Sequence, residues 1–222
     1  MRFPNPTLLL RAAALAGAIS VASTLASQVT ASADSSMSIP IIRQQEPAWG
    51  GARLGASPTD SIASSGCAIT AVTMLLRYYG INTDPPTFNA WLTASGGYTD
   101  WDDLVWSAVT TYSGGRVAFS GWLGPDLNAI QNELDAAQPV IAEVRLGANQ
   151  HFVLITGYTA EGGFQINDPW FGDSVRFSDR YGDPASGIVS IRTFMPVDPS
   201  AARARDRLRP IATAVSGVDL SR

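Results

Sequence analysis

From Ala68 to Tyr79, apolar residues fall at Ala68, Ala71, Val72, Leu75 and Tyr79. Steps of three and four line one face of an α-helix, so the spacing predicts a helix over 68–79. Ser64 or Ser65 is placed to cap its start and Gly80 to end it. Three further stretches carry a helical pattern. Thr87–Leu92 is short. Trp101–Tyr112 puts Trp101, Leu104, Val105, Ala108 and Tyr112 on one side, behind Asp100 as a cap. Pro125–Ala137 turns Leu127, Ile130 and Leu134 inward, with Pro125 suited to a first turn.

Past Gln138 the period changes. PVIAEVRL, HFVLITGY and GFQIN are short runs rich in Val, Ile and Phe, separated by glycine-containing turns, and they predict strands. Glu161–Gly163 reads as a hairpin turn between the last two. SVRF and VSIRTF add two more candidate strands. Ahead of the helices, SIPIIRQQEPAW reads as a short β-like run ending in a turn. Residues 50–66, rich in Gly, Ser, Thr and Ala, read as a loop. Helices first and strands afterwards predict an α+β domain rather than an alternating parallel sheet.

The two ends read differently from the middle. Arg2 and Arg11 precede an apolar stretch from Ala12 to about Ala26, and Ala31-Ser32-Ala33 fits a cleavage pattern. This predicts a signal peptide over 1–33 and a secreted or cell-envelope protein; an uncleaved anchor is the other reading. The apolar run is short for a membrane crossing, so no stable span is expected. From Pro199 the chain becomes polar and Arg-rich (AARARDRLR), which predicts a flexible tail over 199–222 and leaves 34–198 as the domain.

Composition removes some chemistries. All 15 basic residues are Arg, so no lysine nucleophile or Schiff base is available. Leaving out 1–33 removes two Arg and no acid, which takes the net charge from −4 to −6. So acidic a domain is a poor nucleic-acid binder. There is one Cys and one His, too few for the usual tetrahedral zinc site. A lone cysteine in an exported chain is an inert buried residue, an intermolecular bridge or a reactive thiol.

Cys67 opens the first predicted helix. Unpaired N–H groups of a first turn favour a negative group, so they favour thiolate, the attacking form. His151 opens the strand HFVLITGY. Asp168 ends the next one, in NDPW. If the two strands form a hairpin, His151 and Asp168 fall at the same end, and the acid can hold one ring nitrogen while the other faces Cys67. Asn167 is the alternative orienting group. Strand neighbours point opposite ways, so only one of the two faces the ring.

QQEPAWG, SSGCAITAVTMLLRYYG, PVIAEV, HFVLITGY and INDPWFG occur in that order over roughly residues 39–195. In this the chain resembles papain-like cysteine peptidases, specifically compact relatives of the bacteriocin leader-processing (double-glycine) peptidases. The resemblance implies a papain-like α+β fold with N-terminal helices on a small antiparallel sheet. It implies Cys67 as nucleophile, His151 as general base and acid, Asp168 as orienting acid, and an upstream glutamine as oxyanion donor. If 40–45 is extended, Gln44 shares a face with Ile42, and Gln45 with Ile41 and Arg43. Arg43 prefers solvent, so Gln44 turns inward. The family's spacing to its (D/E)-P-x-W turn also selects Gln44. Where many relatives have Cys-Gly-Pro, this chain has Cys67-Ala68-Ile69. It also carries no transporter, so double-glycine specificity does not transfer.

Together these features lead to an exported cysteine peptidase acting on peptide or protein, with no metal or cofactor required. Two alternatives stay open. One is a peptidoglycan amidase or endopeptidase with the same catalytic set. The other is a non-catalytic module binding peptide or wall, with Trp91, Trp101, Trp106, Trp122 and Trp170 lining a groove.

Overall fold

A computed structural model of the chain describes residues 35–159 and 163–197. The signal peptide expected at 1–33, Glu161 and Gly162 of the expected turn, and the 199–222 tail lie outside the described residues. Strand β1 (Ser35–Ser36) is followed by helices α1 (Ile62–Ser65), α2 (Cys67–Tyr78) and α3 (Pro85–Ala94). A ribbon of β2 (Tyr98–Thr99) and β3 (Asp103–Leu104) leads to α4 (Ala108–Tyr112), β4 (Val117–Leu123) and α5 (Leu127–Asp135). Then come β5 (Val140–Leu146), β6 (Asn149–Tyr158), β7 (Phe164–Asp168) and β8 (Asp173–Arg176). The short helices α6 (Phe177–Tyr181) and α7 (Pro184–Gly187) precede the last strand, β9 (Ser190–Pro196). Among the described residues no helix is long and apolar enough to cross a membrane.

The α+β class holds, but the sheet is larger than expected. Seven antiparallel strands run β4-β9-β5-β6-β7-β8, with β1 beside β6. The strands of this sheet absent from the sequence reading are the two-residue β1 and β4. The β4 run VAFSGWL is broken by Ser120-Gly121, where the pairing with β9 shifts register at a bulge. Strand β6 starts two residues ahead of His151. Leu146 pairs with Asn149 around a two-residue turn, in which Gly147 takes a φ of 62°. Helix α2 packs on β6 and on α3. Ile69, Val72, Leu75 and five further residues behind Cys67 are buried, so this helix runs through the core rather than along the surface.

Four local expectations are corrected. The helix expected at 101–112 is helical only from Ala108. Asp100 and Trp101 take φ values of 44° and 79° and turn the β2–β3 ribbon. The Trp101 carbonyl accepts the Ala56 N–H (2.9 Å), and a Cβ on Gly55 would lie 2.3 Å from that oxygen. Docking against the Gly55 loop thus overrides a helical spacing, and Trp101 ends up largely exposed. The loop expected over 50–66 contains α1, whose capping box joins Ser61 and Ser64. Ser64 therefore serves α1, and α2 has Gly66 as its N-cap with no side-chain cap. The β-like run SIPIIRQQEPAW forms no strand, although the in-and-out alternation expected over 40–45 persists at 41–44. Helix α3 is longer than expected because Asp84 caps it, accepting Thr87 N–H (2.8 Å), ahead of Pro85.

Candidate active site

The cleft is built from the start of α2, the start of β6 and the end of β7. Helices α1 and α2 are separated at Gly66, where a Cβ would lie 2.5 Å from the Ile62 carbonyl oxygen. The break makes Cys67 the first residue of α2, with first-turn N–H groups facing forward. Cys67 is buried but lines a cavity of about 830 Å³ together with Gln44, His151 and Trp170.

His151 lines the same cleft, and sheet register places Asp168 behind it. Leu154 pairs with Asn167. His151 is displaced from Leu154, and Asp168 from Asn167, by odd numbers of residues, so both side chains share the opposite face. His151 Nε2 meets Asp168 Oδ1 at 2.9 Å, with both groups almost wholly buried. Asn167 instead donates to the Ile39 carbonyl (3.3 Å). Cys67 and His151 line the same cleft, and the nearby thiol favours the protonated form of the imidazole. Burial alone would push the imidazole pKa down. The hydrogen bonds to Asp168 and Cys67 outweigh it and raise the pKa from 6.5 to about 9. For Asp168, burial favours the neutral acid, but hydrogen bonds from His151 and Tyr181 hold the carboxyl below its ordinary range.

Gln44 is almost wholly buried, whereas Arg43 and Ile41 are exposed and Gln45 is half-exposed. Three ties along 37–44 fix its place: Met37 N–H to Thr156 O, Asn167 Nδ2 to Ile39 O, and Gln44 N–H to Pro169 O. Gln44 Nε2 donates to the Ala63 carbonyl (2.9 Å). That carbonyl is four residues ahead of Cys67, where the Cys67 N–H would bond in an unbroken helix. The amide nitrogen keeps a second hydrogen, and Oε1 has no partner. Gln45 accepts from Arg43 (3.1 Å) at the surface.

Sequence reading misses the other side of the cleft. Arg192 on β9 is buried and pairs with Glu143 on β5 (3.3 Å). Its guanidinium lies 3.7 Å from the Trp122 ring centroid. Burial would favour protonation of Glu143, but hydrogen bonds from Gln150 (2.9 Å), Ser190 (2.6 Å) and Arg192 hold it below its ordinary range. Phe152 packs on Trp106, with ring centroids 5.2 Å apart. The two neighbours of His151 on its strand, Gln150 and Phe152, are thus each held by a side-chain contact. Only pairing across strands reveals this; VSIRTF read alone gives no reason to bury an arginine. At the other end, Asp60, Asp102 and Asp103 line the cleft. Among the described residues no cluster of three His, Cys, Asp or Glu is arranged to hold a metal.

An α+β domain whose cleft is lined by a thiol and an imidazole, with a carboxylate buried behind the imidazole, is equipped for nucleophilic and acid–base chemistry. The chain matches the model of the Peptidase_C39 like family over residues 37–183, more than half its length, and it belongs to that family. Membership in a peptidase family makes a peptide or protein the substrate class. All four sequence-selected residues, Gln44, Cys67, His151 and Asp168, lie within the matched span. A search of curated proteins found none that matches.

Proposed function

We propose that this protein is an exported cysteine peptidase of papain-like fold, with 1–33 as a signal peptide cleaved after Ala33, 34–198 as the catalytic domain and 199–222 as a tail. One observation carries the reading. The only cysteine and the only histidine of the chain line a single cleft, with Asp168 on the ring nitrogen Nε2. That leaves Nδ1 for the thiol. The Cys67 thiolate attacks the substrate carbonyl carbon, and the π electrons move to oxygen. Gln44 Nε2–H and the Cys67 backbone N–H receive that oxyanion. As the C–N bond breaks, the His151 imidazolium gives its proton to the leaving amine, and an acyl-enzyme remains. Water then attacks with His151 as base, the C–S bond breaks, and the thiolate returns.

The test is to incubate the protein with an unfolded protein and, separately, with isolated cell-wall sacculi. New α-amino groups are expected from the unfolded protein. Release from sacculi alone would reassign the substrate to wall peptides, and release from neither would leave the non-catalytic reading. The ring must be protonated to serve the leaving amine. Its pKa is raised to about 9, so activity is expected to hold through neutral pH and fall on the alkaline side near that value. A profile that falls already near pH ~6.5, the free imidazole value, would contradict the pairing.

Gln44→Ala is expected to slow the chemical step by about 10²–10³, the scale for losing one oxyanion donor, while Gln45→Ala is near neutral. Both are measured on one substrate. The reverse ranking would remove Gln44 from the mechanism.

A further inference from the structure

Asp168 accepts four hydrogen bonds, two on each oxygen. Oδ1 takes His151 Nε2 (2.9 Å) and the Trp170 backbone N–H (3.0 Å). Oδ2 takes the Tyr181 hydroxyl (2.6 Å) and Arg180 Nη1 (3.1 Å). A carboxylate offers about four lone-pair positions, so this one is saturated. Both Oδ2 donors come from α6, which contributes nothing to the chemical steps. Each is held independently of Asp168. Arg180 forms a bidentate pair with Asp173 of β8 (2.8 and 2.9 Å) and lies 3.9 Å over the Phe171 ring. Tyr181 packs on Phe177 and stands 6.3 Å from the His151 ring, centroid to centroid. Burial, then the bond to Asp168, keep the Tyr181 phenol protonated and therefore a donor.

We propose that Arg180 and Tyr181 are positioning residues: by pinning Oδ2 they fix the rotation of the Asp168 carboxylate so that Oδ1 stays aimed at His151 Nε2. The last torsion of an aspartate is soft, with broad wells, and contacts to one oxygen alone define it loosely. Two donors on the far oxygen fix it. Without them a carboxylate oxygen at a fully buried residue is left unsatisfied, and rotation away from the imidazole becomes the way to share the remaining donors. The charged and titratable groups facing His151 are Cys67 from α2, Asp168 from β7, and Tyr181 with Arg180 from α6; Asp173 of β8 acts through Arg180. The consequence for turnover rests on the peptidase reading; the positioning itself does not.

The test uses the single histidine, whose ring C–H signals in an NMR titration belong to His151 without further assignment. Tyr181→Phe removes one hydroxyl and keeps the ring on Phe177. It is expected to lower the His151 midpoint by about half a unit or more, because the imidazolium loses part of its Asp168 contact. In the same variant kcat is expected to fall by about 3- to 10-fold with KM unchanged. Tyr181→Phe combined with Arg180→Gln is expected to lower the midpoint further. A rise would mean that the two residues only draw charge from Asp168, and no shift would mean that Oδ1 is held without them; either result overturns the proposal. The titration needs no turnover. A lowered midpoint in a protein whose parent hydrolyses nothing keeps the positioning role and sinks the peptidase reading. An unchanged midpoint with an active parent does the reverse.

Discussion

Cys67→Ala is expected to hydrolyse substrate at least about 10⁴-fold more slowly than the parent, with the fold unchanged. The change deletes one sulfur from a residue already buried at the start of α2. Alanine is the strongest helix former, so α2 keeps its first turn. The deleted atom lines the cleft, and its loss costs about 1 kcal/mol or less of stability. No other thiol exists in the chain to replace it, and there is no lysine. Residual rate would come from substrate binding and the oxyanion donors alone. Paired measurements of kcat and of the thermal midpoint check this. Parent-like hydrolysis by the variant would put the nucleophile elsewhere.

His151→Ala is expected to reduce kcat on a similar scale, about 10⁴-fold, and also to change how stability depends on pH. The rate falls because the chain has no second imidazole to carry a proton to the leaving amine. The stability effect follows from the raised pKa. A group protonated more tightly in the folded state than in the unfolded chain stabilises the fold below the unfolded value of 6.5, and that contribution fades as pH rises through about 9. The deficit of His151→Ala relative to the parent is therefore expected to be largest near pH ~6 and to shrink towards pH ~10. Denaturant titrations at the two ends check the sign. A deficit that grows with pH would mean that His151 is held neutral in the folded protein.

The sequence makes some of this site legible for physical reasons. Cys67 and His151 stand out because each is the only residue of its type. Asp168 follows because a hairpin returns to the end where its first strand began. The choice of Gln44 over Gln45 rests on alternation, and that alternation is visible at Ile41, Ile42, Arg43 and Gln44 even though the segment forms no strand. Arg180 and Tyr181 could not be found in this way. FSDRY is too short for a periodic pattern, and its bearing on Asp168 arises only when β7 and β8 bring α6 beneath the carboxylate. Arg192 is hidden for a related reason, since its partner Glu143 lies on a strand 49 positions away in the chain. Strand β4 and the β2–β3 ribbon fail by the opposite route. A bulge and a docked turn override what their local spacing suggests.

The register that joins β6 to β7 also constrains how sequences of this kind can change length. A single residue gained or lost between His151 and Leu154 would turn the imidazole to the other side of the sheet, away from Asp168. Two residues would keep the side but slide the ring along the strand by about 6.5–7 Å, beyond reach of the carboxylate. Insertions can enter at Gly147-Ala148, where β5 turns into β6, because the pairing beyond His151 is fixed by β7. Gaps among relatives that keep this chemistry are therefore expected at that turn and not within 151–154.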